Sequence, residues 1–324
     1  MIKRILYTLL IMFPVLASAQ INTDRVMAIG RNALYFEDYV LSIQYFNQVI
    51  NAKPYLSDPY FYRGLAKINL DDFQGAESDC SEAIERNPFV VSAYQVRGLA
   101  RIQQNNFAGA IEDYTKALEF DPENIGVWHN MALCRIRQED YKGAKNDLDK
   151  LIAISPRYTK AYLMRGEVDL KQKDTLAAEK DFGKAIEIDR YDADTWASRA
   201  ILRLQQQRYK DAEADFDHAI RLSTRNSGVY INRALARYHQ NNLGEAMSDY
   251  DIALDIDPNN FIGHYNRGLL RAQVGDDNRA IQDFNFVIEM EPDNMMAIFN
   301  RGLLLDQTGD YKGAIKDYST VINE

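Results

Sequence analysis

Apolar residues along this chain fall at helical spacing, and the pattern returns at a fixed interval. Ala110, Ile111, Tyr114, Ala117 and Leu118 form one stripe three or four residues apart, which is the face of a helix rather than the alternation of a strand. A small residue recurs every 34 positions at Gly30, Gly64, Gly98, Ala132, Gly166, Ala200, Ala234, Gly268 and Gly302. Twelve residues after each stands a second one: Ser42, Ala76, Ala110, Ala144, Ala178, Ala212, Ala246, Ala280 and Ala314. Two small side chains at a constant offset let two helices approach closely where they cross. The spacing therefore predicts a hairpin of helix A, a turn and helix B. The turns are written as Asp71-Asp72, Asn105-Asn106, Glu139-Asp140, Asn241-Asn242, Gly275-Asp276 and Gly309-Asp310, places where one helix ends and another begins. Helix B stops before Pro54, Pro88, Pro122, Pro156, Pro258 and Pro292, because proline cannot continue a helix.

This arrangement resembles the tetratricopeptide repeat family, whose 34-residue pattern runs from a bulky residue through Gly or Ala, Ala and an aromatic to Pro. The helix A aromatic is Tyr60, Tyr94, Trp128, Tyr162, Trp196 and Tyr230; the helix B aromatic is Phe46, Tyr114, Phe182, Phe216, Tyr250, Phe284 and Tyr318. Arg190 and Thr224 replace the closing proline in two repeats, and Asp277 takes an aromatic turn position in the eighth. The expected fold class is all-α: an α-solenoid formed as one array over residues 20–324. Eight repeats are complete (23–56, 57–90, 91–124, 125–158, 159–192, 193–226, 227–260 and 261–294), and the ninth, 295–324, is incomplete. The resemblance implies a right-handed superhelix whose concave face, lined by helix A, grips an extended peptide or a partner's helix. Each hairpin buries its apolar face only against its neighbours, so the ends are the weak points. The ninth repeat stops short of a closing proline, so either the natural protein continues or that face docks onto something.

The first residues depart from the repeat. Lys3 and Arg4 precede an apolar run from Ile5 to Leu16, then Ala17-Ser18-Ala19, the layout of a secretory signal peptide over residues 1–19 cleaved after Ala19. The run is short for a membrane span, and no transmembrane segment is expected in the mature chain. Export to the periplasm or beyond is the expectation. The formal charge of −9 and the lack of a basic run argue against nucleic acid as a partner.

Candidate chemistry narrows to binding. Arg63, Arg97, Arg165, Arg199, Arg233, Arg267 and Arg301 occupy one repeat position, with Asp79, Asp113, Asp181, Asp215, Asp249, Asp283 and Asp317 sixteen residues later. Sign-matched partners that recur together read as structural salt bridges between the two helices of a hairpin rather than as an anion-binding row. The fourth repeat keeps Asp147 but carries Met131 in place of the Arg. His129, His218, His239 and His264 fall at four different repeat positions without zinc-like spacing, so no metal and no cofactor is expected. Cys80 and Cys134 read as buried small hydrophobes. No nucleophile with a placed base and no phosphate loop is present, so no enzyme is expected.

The candidate peptide-binding groove is Asn130, Asn232, Asn266 and Asn300, which share one helix A position just before the Arg, together with apolar Phe61, Ile231, Tyr265 and Phe299. An amide there either donates to and accepts from a bound peptide backbone or merely solvates an exposed helix face. The function expected is an exported scaffold that holds a peptide or partner protein in envelope assembly or secretion. The alternatives are a docking or sensor arm of a longer protein and a chain that self-associates through its uncapped ends.

Overall fold

The structure, a computed structural model, describes residues 22–223 and 225–323. The expected leader with its Ala19 cleavage site lies outside the described residues, as does Thr224. The described residues form eighteen α-helices in nine antiparallel hairpins and contain no strand. The described residues divide into two compact units, one ending at Pro156 and the other beginning at Arg157.

The first unit holds α1 (Thr23–Tyr35) paired with α2 (Tyr39–Ala52), α3 (Asp58–Ile68) with α4 (Phe73–Arg86), α5 (Val91–Gln103) with α6 (Phe107–Phe120), and α7 (Ile125–Arg137) with α8 (Tyr141–Ile154). The second holds α9 (Thr159–Lys171) with α10 (Thr175–Ile188), α11 (Ala193–Gln205) with α12 (Tyr209–Leu222), α13 (Ser227–His239) with α14 (Leu243–Ile256), α15 (Phe261–Gln273) with α16 (Asp277–Met290), and α17 (Met295–Gln307) with α18 (Tyr311–Asn323).

The turn inside each hairpin is set by one backbone choice. Glu37, Asp71, Asn105, Glu139, Lys173, Gln207 and Asn241 adopt a left-handed φ near +60°, and Gly275 and Gly309 take the same place with φ of +80° and +88°. One left-handed residue ends helix A and reverses the chain. An Asp or Asn next to it caps helix B: the side chains of Asp38, Asp72, Asn106, Asp140 and Asp174 each accept from the backbone N–H three residues on, at 2.9 to 3.1 Å.

Within a hairpin the small residue of helix A meets the helix B aromatic sixteen positions later. A methyl group added at Gly166 would lie 2.6 Å from the Phe182 ring, and one at Gly98 would lie 2.8 Å from the Tyr114 ring. The aromatic thus lies against the helix A backbone itself. Phe46, Phe182, Phe216 and Phe284 are fully buried, each worth about 1.5–3 kcal/mol of burial. In the second hairpin Cys80 takes the aromatic position, and it and Cys134 are free and buried. Burial pushes their thiols up, to about 12 for Cys80 and about 11 for Cys134.

Candidate functional site

The Arg ladder lies along the contact between the two helices of a hairpin. Each of the seven arginines forms a two-pronged bond to its Asp, with N–O distances from 2.5 to 3.1 Å. The carboxylates are buried and the guanidiniums half-buried. In five of them the remaining arm reaches into the preceding repeat: Arg63 donates to Asn47, Arg97 to Ser81, Arg233 to Asp217, Arg267 to Asp251 and Arg301 to Asn285, at 2.6 to 3.0 Å. The ladder therefore joins neighbouring hairpins as well as the two helices within one, which goes beyond the pairing expected from the sequence. A second basic residue one turn later adds to it. Arg101, Arg203 and Arg237 hold both the buried Asp and a Glu of the preceding helix B. With these cations consumed by carboxylates, the ladder offers no free anion site.

The fourth hairpin breaks the pattern. Met131 stands at the Arg position, Arg135 alone reaches Asp147, at 3.0 Å on Oδ1, and Oδ2 is buried without a hydrogen-bond partner. Burial, only partly offset by Arg135, raises the Asp147 carboxyl to about 6.

Successive first helices of hairpins approach one another (α1 with α3, α3 with α5, α11 with α13, α15 with α17) more closely than successive second helices do. Helix A therefore lines the inner side of each unit. There the second unit carries Asn232, Asn266 and Asn300, all half-buried. The amides of Asn232 and Asn266 have no hydrogen-bond partner among the described residues, whereas Asn300 Nδ2 donates to the Tyr265 hydroxyl of the preceding repeat at 3.2 Å. In the first unit Asn130 lies beside the buried Tyr114 hydroxyl, which has no partner in hydrogen-bonding geometry.

The apolar members separate. Ile231 is buried, packed with Tyr230, Tyr250 and Leu270, and so belongs to the core instead of the groove: its neighbours in helix B and in the next helix A close over it. Phe61 is half-buried against Tyr62 and the Tyr60–Cys80 cluster. Phe299 is exposed and leans on Tyr318, with 6.2 Å between ring centroids. Tyr265 is half-buried on Phe284 and also borders a hollow of about 230 Å³ with Phe261, Ile262, Asn294 and Met296.

Ile262 and Met296, half or more exposed, are the residues that sequence reasoning missed. The signal was present. At this place in the first turn of helix A the other repeats carry Asp24, Asp58, Ser92, Gly126, Lys160, Asp194 and Gly228, so only the eighth and ninth hairpins place an apolar side chain there. Among the described residues no group of three or more His, Cys, Asp or Glu is placed to hold a metal ion, and no helix is long and apolar enough to cross a membrane.

Comparison with known proteins bears on the fold. Profiles described as TPR repeat match residues 98–134 and 234–275, and profiles described as tetratricopeptide repeat match 125–158, 159–192 and 265–322. No curated protein sequence matches the chain. Among solved structures, it is similar to a tetratricopeptide repeat protein from Parabacteroides merdae, 21% identical over 77% of this chain and 98% of that one, with a TM-score of 0.58. It is also similar to the APC/C hetero-tetramer Cut9–Hcn1 (13% identity, 90% of this chain and 57% of that one, TM-score 0.58) and to PilF of Pseudomonas aeruginosa (19%, 67% and 97%, TM-score 0.56). Likeness at these identities speaks for the fold. The matched segments together span more than half of the chain, and their 34-residue frame is the one that the left-handed turns and the Arg ladder keep, so the chain belongs to the tetratricopeptide repeat family.

Proposed function

We propose that this chain is an exported scaffold that holds a peptide or partner protein on the inner face of its second unit, in assembly or secretion at the cell envelope. Tetratricopeptide repeat arrays serve in general as non-catalytic protein–protein interaction scaffolds, and that is the coarse reading carried by family membership. The finer reading rests on one observation: the open hollow of Phe261, Ile262, Tyr265, Asn294 and Met296 lies along the same face as the unengaged amides of Asn232 and Asn266. An apolar side chain seated in the hollow loses water-exposed surface, and amides beside it can donate to and accept from the main chain of the same segment. At the position of Ile262 and Met296 an apolar residue occurs only in the last two hairpins, so the hollow is local to them. Export is supported by the Lys3-Arg4, apolar-run and Ala17-Ser18-Ala19 sequence.

The test is a crosslinking pull-down from envelope extract, using the parent chain and a variant carrying Asn232→Ala, Asn266→Ala and Met296→Asp. A partner captured by the parent and lost by the variant, with mature protein beginning at Gln20, is the expected result. Equal capture by both would move the binding surface off this face, and mature protein that retains Met1 inside the cell would end the reading as an exported protein.

A further inference from the structure

The second helices of the fifth and sixth hairpins form an unusual cleft on the side away from the inner face. It holds about 420 Å³ and is lined by the end of α10, the loop bearing Arg190 and Tyr191, Trp196 at the start of α11, and His218, Arg221 and Leu222 on α12. The His218 ring stacks on Trp196 at 4.2 Å and 15°, while Trp196 Nε1 donates to the Arg190 carbonyl at 3.0 Å. Those two contacts hold the loop and the aromatic wall in place. Tyr191 is 74% exposed and Leu222 38% exposed, so apolar surface stands open beside the stack.

The array supplies its own comparison. The matching cleft on the third hairpin, about 580 Å³, includes Lys116 and Glu119, and those two pair with each other at 2.9 Å. In the sixth hairpin the same two positions are His218 and Arg221. Arg221 stands where Glu85, Glu119, Glu187, Asp255 and Glu289 stand in other repeats, and Arg190 replaces the closing proline. Neither guanidinium has a hydrogen-bond or ion-pair partner among the described residues. Glu187, the one acid at the cleft, is held by Lys184 at 2.9 Å. On a chain of net charge −9, two exchanged positions thus place two arginines on the cleft lining, beside an open aromatic and aliphatic wall.

We propose that this cleft binds an acidic peptide segment: Arg190 and Arg221 take its carboxylates, and an adjoining apolar side chain lies against His218, Tyr191 and Leu222. Guanidinium suits this role because its planar fork matches a carboxylate with two parallel donors. The site is independent of the inner-face reading, since it uses other helices and charged rather than neutral contacts.

The chain has two tryptophans, so Trp128→Phe leaves Trp196 as the sole fluorescent reporter of the cleft. That protein is titrated at low salt with a blocked Asp-Phe-Asp-Leu peptide, with its Lys-Phe-Lys-Leu counterpart, and with inorganic phosphate at matched ionic strength. The expected result is a saturable change with the acidic peptide alone, weakened by salt. Arg221→Glu, which restores the sign found in other repeats at an exposed position, should reduce the affinity at least about tenfold. Asn232→Ala with Asn266→Ala should leave it unchanged, which separates this site from the inner face. An equal response to the lysine peptide or to phosphate, an undiminished response in Arg221→Glu, or no saturable response at millimolar peptide would each overturn the proposal.

Discussion

Asp147 shows how much one side chain in the ladder does. Four of its counterparts, Asp113, Asp215, Asp249 and Asp283, sit equally deep but between two arginines, and they keep both oxygens engaged. With Met131 in place of the first Arg, one oxygen is orphaned and burial dominates, lifting the carboxyl to about 6 from an ordinary 3.8. Between those values the folded protein keeps a proton that the unfolded chain has released. Stability from this group therefore falls as pH rises from about 4 to about 6 and is level above. Met131→Arg should abolish that slope and raise stability at pH 7 by about 1–3 kcal/mol. Denaturant unfolding of both proteins across pH 4–8 checks it; an unchanged slope would place the proton elsewhere.

At the scale of an element, the hairpin is decided at its turn. Nine residues take a left-handed conformation at 34-residue intervals, and seven of them are not glycine, so those turns carry a backbone cost near 1–2 kcal/mol that packing of the two helices offsets. Gly275 is the opposite case. Nothing lies within 4 Å of where its Cβ would be, so a substitution there meets only the backbone preference. Gly275→Ala should lower stability by about 1 kcal/mol, read as a lower midpoint with an unchanged m-value. A neutral result would mean that the α15–α16 turn relaxes to another shape.

At the scale of the whole molecule, stability in stacked repeats is a sum over neighbours, so damage should stay local. Phe284 is fully buried against the backbone at Gly268, and Phe284→Ala should cost about 3–5 kcal/mol in its own hairpin. Hydrogen exchange should quicken in α15, α16 and the hairpins beside them and stay as it was in α3 to α6. Uniform acceleration throughout would show instead that the array opens as one block.

The period, the hairpin, the turn positions and the Arg–Asp pairing were legible because each is a local rule repeated seven to nine times, and repetition turns weak preferences into a readable register. The close approach of helices at Gly98 and Ala110 and the turns at Asp71-Asp72 and Asn105-Asn106 follow from spacing alone. What needed three dimensions was everything between one hairpin and the next. The third arm of Arg233 reaching Asp217, the burial of Ile231 beneath the following helix and the bond from Asn300 to Tyr265 all depend on how consecutive repeats are rotated against each other. A sequence period states which residues recur, whereas the packing of neighbours decides which recurring positions are covered and which stay open. The hollow at Ile262 and Met296 and the cleft at Arg190 and Arg221 are therefore departures from the period whose meaning appeared only once their neighbours were in place.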